Sequence, residues 1–491
     1  MLLFRILLPI SAFVSSVACW GVHSDGLTIQ TTSGLVRGFI NETAPNVRQF
    51  LGIPYAEPPV GQLRFAPPKP KQHGGSLDAT AFGPSCIQQF SNTSTIYTEV
   101  VPEFLIEGGQ SEDCLFINIW APAVKRHRGY KQPGESLLPV FVYIPGGGFT
   151  GGGANSLYKI PDKWIQRTQS HIVMVINYRV NIFGFPNARG LKDRNVGLLD
   201  QRLAVEWARD NAAAFGGDPS RITLWGQSAR AASSDTYIYA YPEDPIISSF
   251  ISDSGSASLL GSADQARTNF TFLASLLSCK EPDAQAELAC MRTIPATTLE
   301  NTLSNYIISK ATPSISFVPV YDNKTAFSNT TDRALRGLLA KIPGMLGSNA
   351  NEGAGFVAFT PNGPGAAALH AISQRVIACP VALEVSNRVL AGLPTYRYQY
   401  AGNFSNVSPV GWMGAYHSSE LPLLFGTHYE YGPGLSTPFE YDVSHAMEGV
   451  SSVFVVHYLP FCSLLTSISS LGLIRLRSHK GAGSFLQFRL A

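Results

Sequence analysis

The chain has 491 residues, of which 45% are hydrophobic and only 14% charged. That length and apolar content suffice for a large buried core, and α/β enzymes of this size often form one unit. A net charge of +2 argues against nucleic acid or an acidic partner.

In chain order, residues 1–18 read as a secretory signal. Arg5 supplies the positive n-region, Ile6 to Val17 the apolar h-region, and Ser16 and Ala18 the small residues before a cut after Ala18. The competing reading is an apolar N-terminal strand or anchor. Secretion governs how the seven cysteines are read: Cys19, Cys86, Cys114, Cys279, Cys290, Cys379 and Cys462 are expected to form disulfides. Their spacing matches no zinc site, so neither a metal nor another cofactor is expected. Sequons begin at Asn41, Asn92, Asn269, Asn323, Asn329, Asn403 and Asn406, which on a secreted chain predicts several glycosylated loops.

Val140 to Ile144 is a continuous apolar run, stopped by Pro145 and Gly146-Gly147-Gly148. Ile172 to Ile176 is another. Leu203, Ala204, Trp207 and Ala208 then recur at helical spacing until Gly216-Gly217 and Pro219 end the pattern. Ile222 to Trp225 is a third strand and Phe250-Ile251 opens a fourth. Continuous apolar strands alternating with helices predict an α/β fold, with a mostly parallel sheet covered on both faces. Residues 264–308 read as mostly helical. Directly after Trp225 comes Gly226-Gln227-Ser228-Ala229-Arg230. A buried strand, a tight turn carrying a serine and then a helix is the setting of a nucleophile elbow, which lifts the hydroxyl above the sheet edge.

Ordered motifs extend this over residues 25–450. They are Phe50-Leu51-Gly52-Ile53-Pro54-Tyr55-Ala56, Pro58-Pro59-Val60-Gly61, Leu63-Arg64-Phe65, Ser111-Glu112-Asp113-Cys114-Leu115, Gly146-Gly147-Gly148-Phe149, Asn177-Tyr178-Arg179, Asp200-Gln201 and Phe215-Gly216-Gly217-Asp218-Pro219. In this order and spacing the chain resembles the type-B carboxylesterase and lipase family, which includes cholinesterases and secreted fungal lipases. The resemblance implies the α/β-hydrolase fold and a Ser-Glu-His triad. Ester hydrolysis by serine needs a nucleophile, a base and an acid that orients the base. Ser228 is the nucleophile. Glu352, in Gly347-Ser348-Asn349-Ala350-Asn351-Glu352-Gly353, resembles the family's acid. His417, in Gly414-Ala415-Tyr416-His417-Ser418-Ser419-Glu420-Leu421-Pro422, resembles its base; without the motif, His428 and His445 compete for that role. The resemblance also implies oxyanion donors at the backbone N–H groups of Gly147, Gly148 and Ala229. It further implies the disulfides Cys86–Cys114, closing a loop over the active-site entrance, and Cys279–Cys290.

Specificity rests on departures. The loop from Cys86 to Cys114 has no tryptophan, and Gln227 replaces the glutamate that precedes the serine in cholinesterases; both argue against choline esters. The loop is also short for a lipase lid, which favours a general carboxylesterase, acting on a small-molecule ester, over a lipase acting on a lipid ester such as a triglyceride. Arg230 stands where the pattern has glycine. Its side chain must either leave into a polar pocket or displace the helix start and the Ala229 N–H, and Arg230→Gly is expected to raise activity at least about tenfold, the scale of a lost donor. Arg230, together with residues 450–491, which lack the family's ending, keeps a catalytically impaired homologue or an adhesion protein on the same fold as the rival. The expected division is a signal at 1–18, a catalytic domain at 19–449 and a divergent tail at 450–491, in which the apolar 450–474 admits a membrane span despite His457 and Pro460.

Overall fold

A computed structural model of the protein describes residues 26–123, 137–261, 263–457, 477–479 and 485–490. Its main element is an eleven-stranded sheet. In chain order the strands are β1 (Phe39–Ile40), β2 (Val47–Pro54), β3 (Phe116–Pro122), β4 (Leu138–Ile144), β5 (Ile172–Ile176), β6 (Gly217–Gln227), β7 (Ser249–Asp253), β8 (Gly344–Asn349), β9 (Thr395–Tyr400), β10 (Arg477–His479) and β11 (Phe485–Leu490). Across the sheet they run β10-β11-β9-β8-β7-β6-β4-β5-β3-β2-β1. The strands from β5 through β4, β6, β7, β8 and β9 to β11 are parallel, and both edges are antiparallel. This is the α/β fold expected, with all four apolar runs in its centre.

Those runs are continuous because both faces are covered. Val140, Val142 and Ile144 of β4, with Ile172, Met174 and Ile176 of β5, enter one core. The intervening Phe141, Tyr143, Val173 and Val175 enter a second core on the opposite face. The helix Val196–Phe215 packs on the first, and its Gly216 cap has φ 94°, a left-handed geometry suited to glycine. The residues 264–308 hold the helices Asn269–Leu276, Ala284–Thr293 and Ala296–Ile308 over a third cluster.

Several motif residues are structural. Arg64 pairs with Glu112 at 2.6 Å, and Arg179 pairs with Asp200 at 2.6 Å, both pairs largely buried. Breaking one partner would leave a buried uncompensated charge. The implied disulfides are present: Cys86–Cys114 and Cys279–Cys290 have Cα separations of 4.9 and 5.4 Å. Cys379 is exposed and free among the described residues; Cys19 and Cys462 lie outside them, as do the signal reading and its cut.

Two expectations need correction. The division at 449/450 is not a break in the fold, because it falls inside the helix Pro438–His457, and β11 beyond it pairs with β9. Phe454 of that helix is buried, with its ring 5.6 Å from that of Tyr396, so the segment read as a possible span begins inside the protein core; residues 458–474 lie outside the described ones. The Asn406 sequon does not lie on an accessible loop as expected. Its side chain is buried, and its amide nitrogen donates to the His428 carbonyl, Ser436 Oγ and Glu440 Oε1. Asn92, Asn323, Asn329 and Asn403 are exposed, and Asn41 and Asn269 half-buried.

Candidate active site

The site lies beyond the carboxyl ends of β4, β6, β8 and β9, where ligands of such sheets bind. β6 ends at Gln227, and Ser228 follows with φ 63° and ψ −131° before the helix Ala229–Ala240 begins. A non-glycine residue held there is strained, and the surroundings impose it. The Ser228 N–H donates to the Asp253 carbonyl at the end of β7, 2.8 Å away. Strand and helix approach so closely that a Cβ at Gly226 would collide with the Arg230 carbonyl oxygen, and one at Gly255 with the Ser228 carbonyl oxygen. Gly226 therefore has a steric reason to be glycine.

Ser228 Oγ lies 2.7 Å from His417 Nε2, and His417 Nδ1 lies 2.6 Å from Glu352 Oε2. Glu352 is completely buried, and its other oxygen accepts the Asn349 N–H at 2.6 Å. The structure thus brings together the three residues singled out in the sequence. The competing His428 is buried elsewhere, with Nδ1 on Ser436 Oγ at 2.8 Å, and His445 lies in the helix Pro438–His457.

Gly146, Gly147 and Gly148 leave β4 beside the elbow, since Ile144 pairs with Gly226. Gly147 and Gly148 have φ 141° and 64° and are exposed, whereas Gly146 is pressed against Gln227. The Thr150 and Gly151 N–H groups bond the Gly147 carbonyl at 3.2 and 3.0 Å, closing the loop on itself. Among the described residues, the N–H groups of Gly147, Gly148 and Ala229 bond no acceptor.

Arg230 takes the first of its two courses. Its side chain leaves beneath the glycine loop while Ser228 and His417 stay in bonding contact. The pocket is aromatic rather than polar: the guanidinium lies 4.8 Å from the Tyr178 ring centre and 5.6 Å from that of Phe149. The basis for a gain of activity in Arg230→Gly is therefore removed.

Sequence reasoning missed several residues around the triad. Tyr97, in the disulfide-closed loop, donates its hydroxyl to the His417 carbonyl at 2.6 Å. The exposed Phe356 lies against the His417 ring, 4.5 Å between centres and tilted by 42°. Gln227, read in the sequence only as a departure from cholinesterases, donates to Ser418 Oγ at 2.8 Å and lies 3.3 Å from His417 Nε2. Two further carboxyls sit behind Glu352. Asp253 accepts from Trp225 Nε1 and Tyr398 OH, and Glu420 accepts from Asn349 Nδ2. Burial raises both, Glu420 well above the carboxylate range and Asp253 to about 6, and the neighbouring Glu352 pushes the same way.

Because the folded pKa of Asp253 lies above its ordinary 3.8, the native state holds the extra proton between about pH 4 and 6. Stability is therefore lost as pH rises through that window. Asp253→Asn should flatten this part of the pH dependence, read as the difference between the two proteins' melting temperatures at pH 4.5 and 6.5. Parallel curves would refute an Asp253 proton.

A parallel-centred sheet carrying this elbow and an acid–histidine–serine chain beyond its strand ends is the α/β-hydrolase arrangement. A carboxylesterase family model matches residues 25–367, and the protein belongs to that family. It is 59% identical over 444 residues to the chlorogenic acid esterase of Aspergillus niger, covering 90% of this chain and 85% of that one. It is 40% identical over 480 residues to secreted lipase 5 of Gibberella zeae, covering 90% and 86%. It is 31% identical over 433 residues to the para-nitrobenzyl esterase of Bacillus subtilis, covering 81% and 82%. The protein is a carboxylic ester hydrolase.

Proposed function

We propose that the protein is a secreted serine esterase that cleaves small-molecule esters of the chlorogenic acid class through an acyl-enzyme on Ser228. The observation that carries the mechanism is the unbroken chain Ser228 Oγ, His417 Nε2, His417 Nδ1, Glu352 Oε2 at 2.7 and 2.6 Å. Glu352 holds the Nδ1–H tautomer, so Nε2, which the Gln227 amide also approaches at 3.3 Å, accepts the serine proton. As Oγ bonds to the carbonyl carbon, the carbonyl π electrons move to oxygen, and the N–H groups of Gly147, Gly148 and Ala229 receive that charge. Collapse expels the alcohol, which takes the proton from Nε2. Water then repeats the sequence on the acyl-enzyme, with His417 again as base, and releases the acid. No step needs a metal or cofactor.

The substrate class rests on the Aspergillus niger relative, and secretion on relatives named as secreted together with the N-terminal signal pattern. Chlorogenic acid, p-nitrophenyl acetate and an emulsified triglyceride should be compared as substrates of protein recovered from the medium. Preference for chlorogenic acid by kcat/KM is the expected result. Preference for the triglyceride emulsion would replace the small-molecule reading with a lipase.

A further inference from the structure

Arg230 is a fully buried cation beside the nucleophile. It lies in the first turn of the helix Ala229–Ala240, where positive charge opposes the helix dipole. It is 1% exposed, and burial lowers its pKa. The groups that favour its charge are the Tyr178 and Tyr143 hydroxyls rather than a carboxylate, and its Nε and Nη1 are without a well-formed hydrogen bond. A buried guanidinium without a counter-charge normally destabilises. What it does touch is specific. Nη2 donates to the Gly151 carbonyl, and the guanidinium lies near the rings of Phe149 and Tyr178.

These contacts span the two segments that supply the oxyanion donors. Gly151 and Phe149 flank Thr150 in the loop that begins with Gly147 and Gly148. Gly151 N–H bonds the Gly147 carbonyl at 3.0 Å, so a hold on Gly151 is a hold on Gly147. Phe149 is itself left-handed at φ 63°, with its carbonyl bonded by the Asn181 N–H at 2.8 Å. At the other end, Arg230 is joined through one peptide bond to Ala229, the third donor. We propose that Arg230 is a positioning residue that locks the glycine loop to the elbow and so fixes the two halves of the oxyanion hole relative to each other. Preorganised donors are effective because they do not move as charge develops. The role rests on the serine-esterase reading above.

The test compares Arg230→Gly, Arg230→Met and Arg230→Lys with wild type on p-nitrophenyl acetate. Affinity for an aryl trifluoromethyl ketone, which forms a tetrahedral adduct, is measured in parallel. Arg230→Gly and Arg230→Met should lose at least about tenfold in kcat, up to the 10²–10³ of a lost donor, with KM within about twofold. Ketone affinity should fall with kcat/KM. Arg230→Lys, which keeps a cationic donor on a chain of similar length, should recover part of the loss. If Arg230→Gly fails to fold, the two variants of similar length decide. Wild-type or higher kcat in Arg230→Met, or a loss that Arg230→Lys does not relieve, overturns the role. A separate control distinguishes this from failure of the serine reading: wild-type enzyme that an organophosphate does not label at Ser228 refutes that reading, whatever Arg230 does.

Discussion

His417→Ala should lower kcat on p-nitrophenyl esters by about 10³-fold or more, and Ser228→Ala should lower it at least as far, with both proteins folded. Without His417, Ser228 has no base at 2.7 Å, and its hydroxyl is a weak nucleophile at neutral pH. The loss should appear in kcat with little change in KM, because the proton transfer belongs to the transition state. Glu352→Gln should cost less than His417→Ala, since His417 remains but its tautomer is no longer fixed by a carboxylate. The double variant Ser228→Ala/His417→Ala should be little worse than either single one, because the residues act as a unit. Steady-state kinetics with circular dichroism as the folding control checks this. Near-normal turnover in His417→Ala would require another base, although the structure holds His428 on Ser436 instead.

Gly147→Ala should cost about 10²–10³ in kcat, the effect of losing one oxyanion donor. Two independent features of the backbone require glycine there. Its φ of 141° is a conformation that L side chains rarely adopt, and a Cβ would collide with the Gly151 carbonyl oxygen across the closed loop. Relieving the collision must move either Gly147 or the Gly151 carbonyl, which also holds Arg230. By contrast Gly148→Ala meets only Thr150 Oγ1 at 3.5 Å, so its cost comes from φ 64° alone and should be smaller. Equal effects of the two substitutions would contradict this account of the loop.

The centre of the sheet was legible because burial on both faces writes itself as unbroken apolar runs, and β5 begins and ends where its run does. The meeting of Ser228, His417 and Glu352 was legible because each sits in a short local motif. The disulfides followed from the same resemblance. What depends on distant partners was not legible. Asn406 has the form of a sequon, yet its burial depends on Glu440 and Ser436, about thirty residues away. The direction of the Arg230 side chain is set by Phe149 and Tyr178 from two other loops. β11 has no long apolar run of its own and is defined by its register with β9, Thr395 opposite Phe485 to Tyr400 opposite Leu490. Tyr97 reaches the His417 carbonyl across 320 residues of sequence.

The central claim is that Ser228 is the activated nucleophile, and covalent labelling tests it most directly. An organophosphate fluoride is attacked at phosphorus by an activated serine, forming an Oγ–P bond and releasing fluoride, while the serine proton passes to His417. Intact-mass and peptide mass spectrometry should show a single adduct, located on Ser228 and absent from Ser228→Ala. An adduct on another residue, or an unlabelled but active enzyme, would contradict the account.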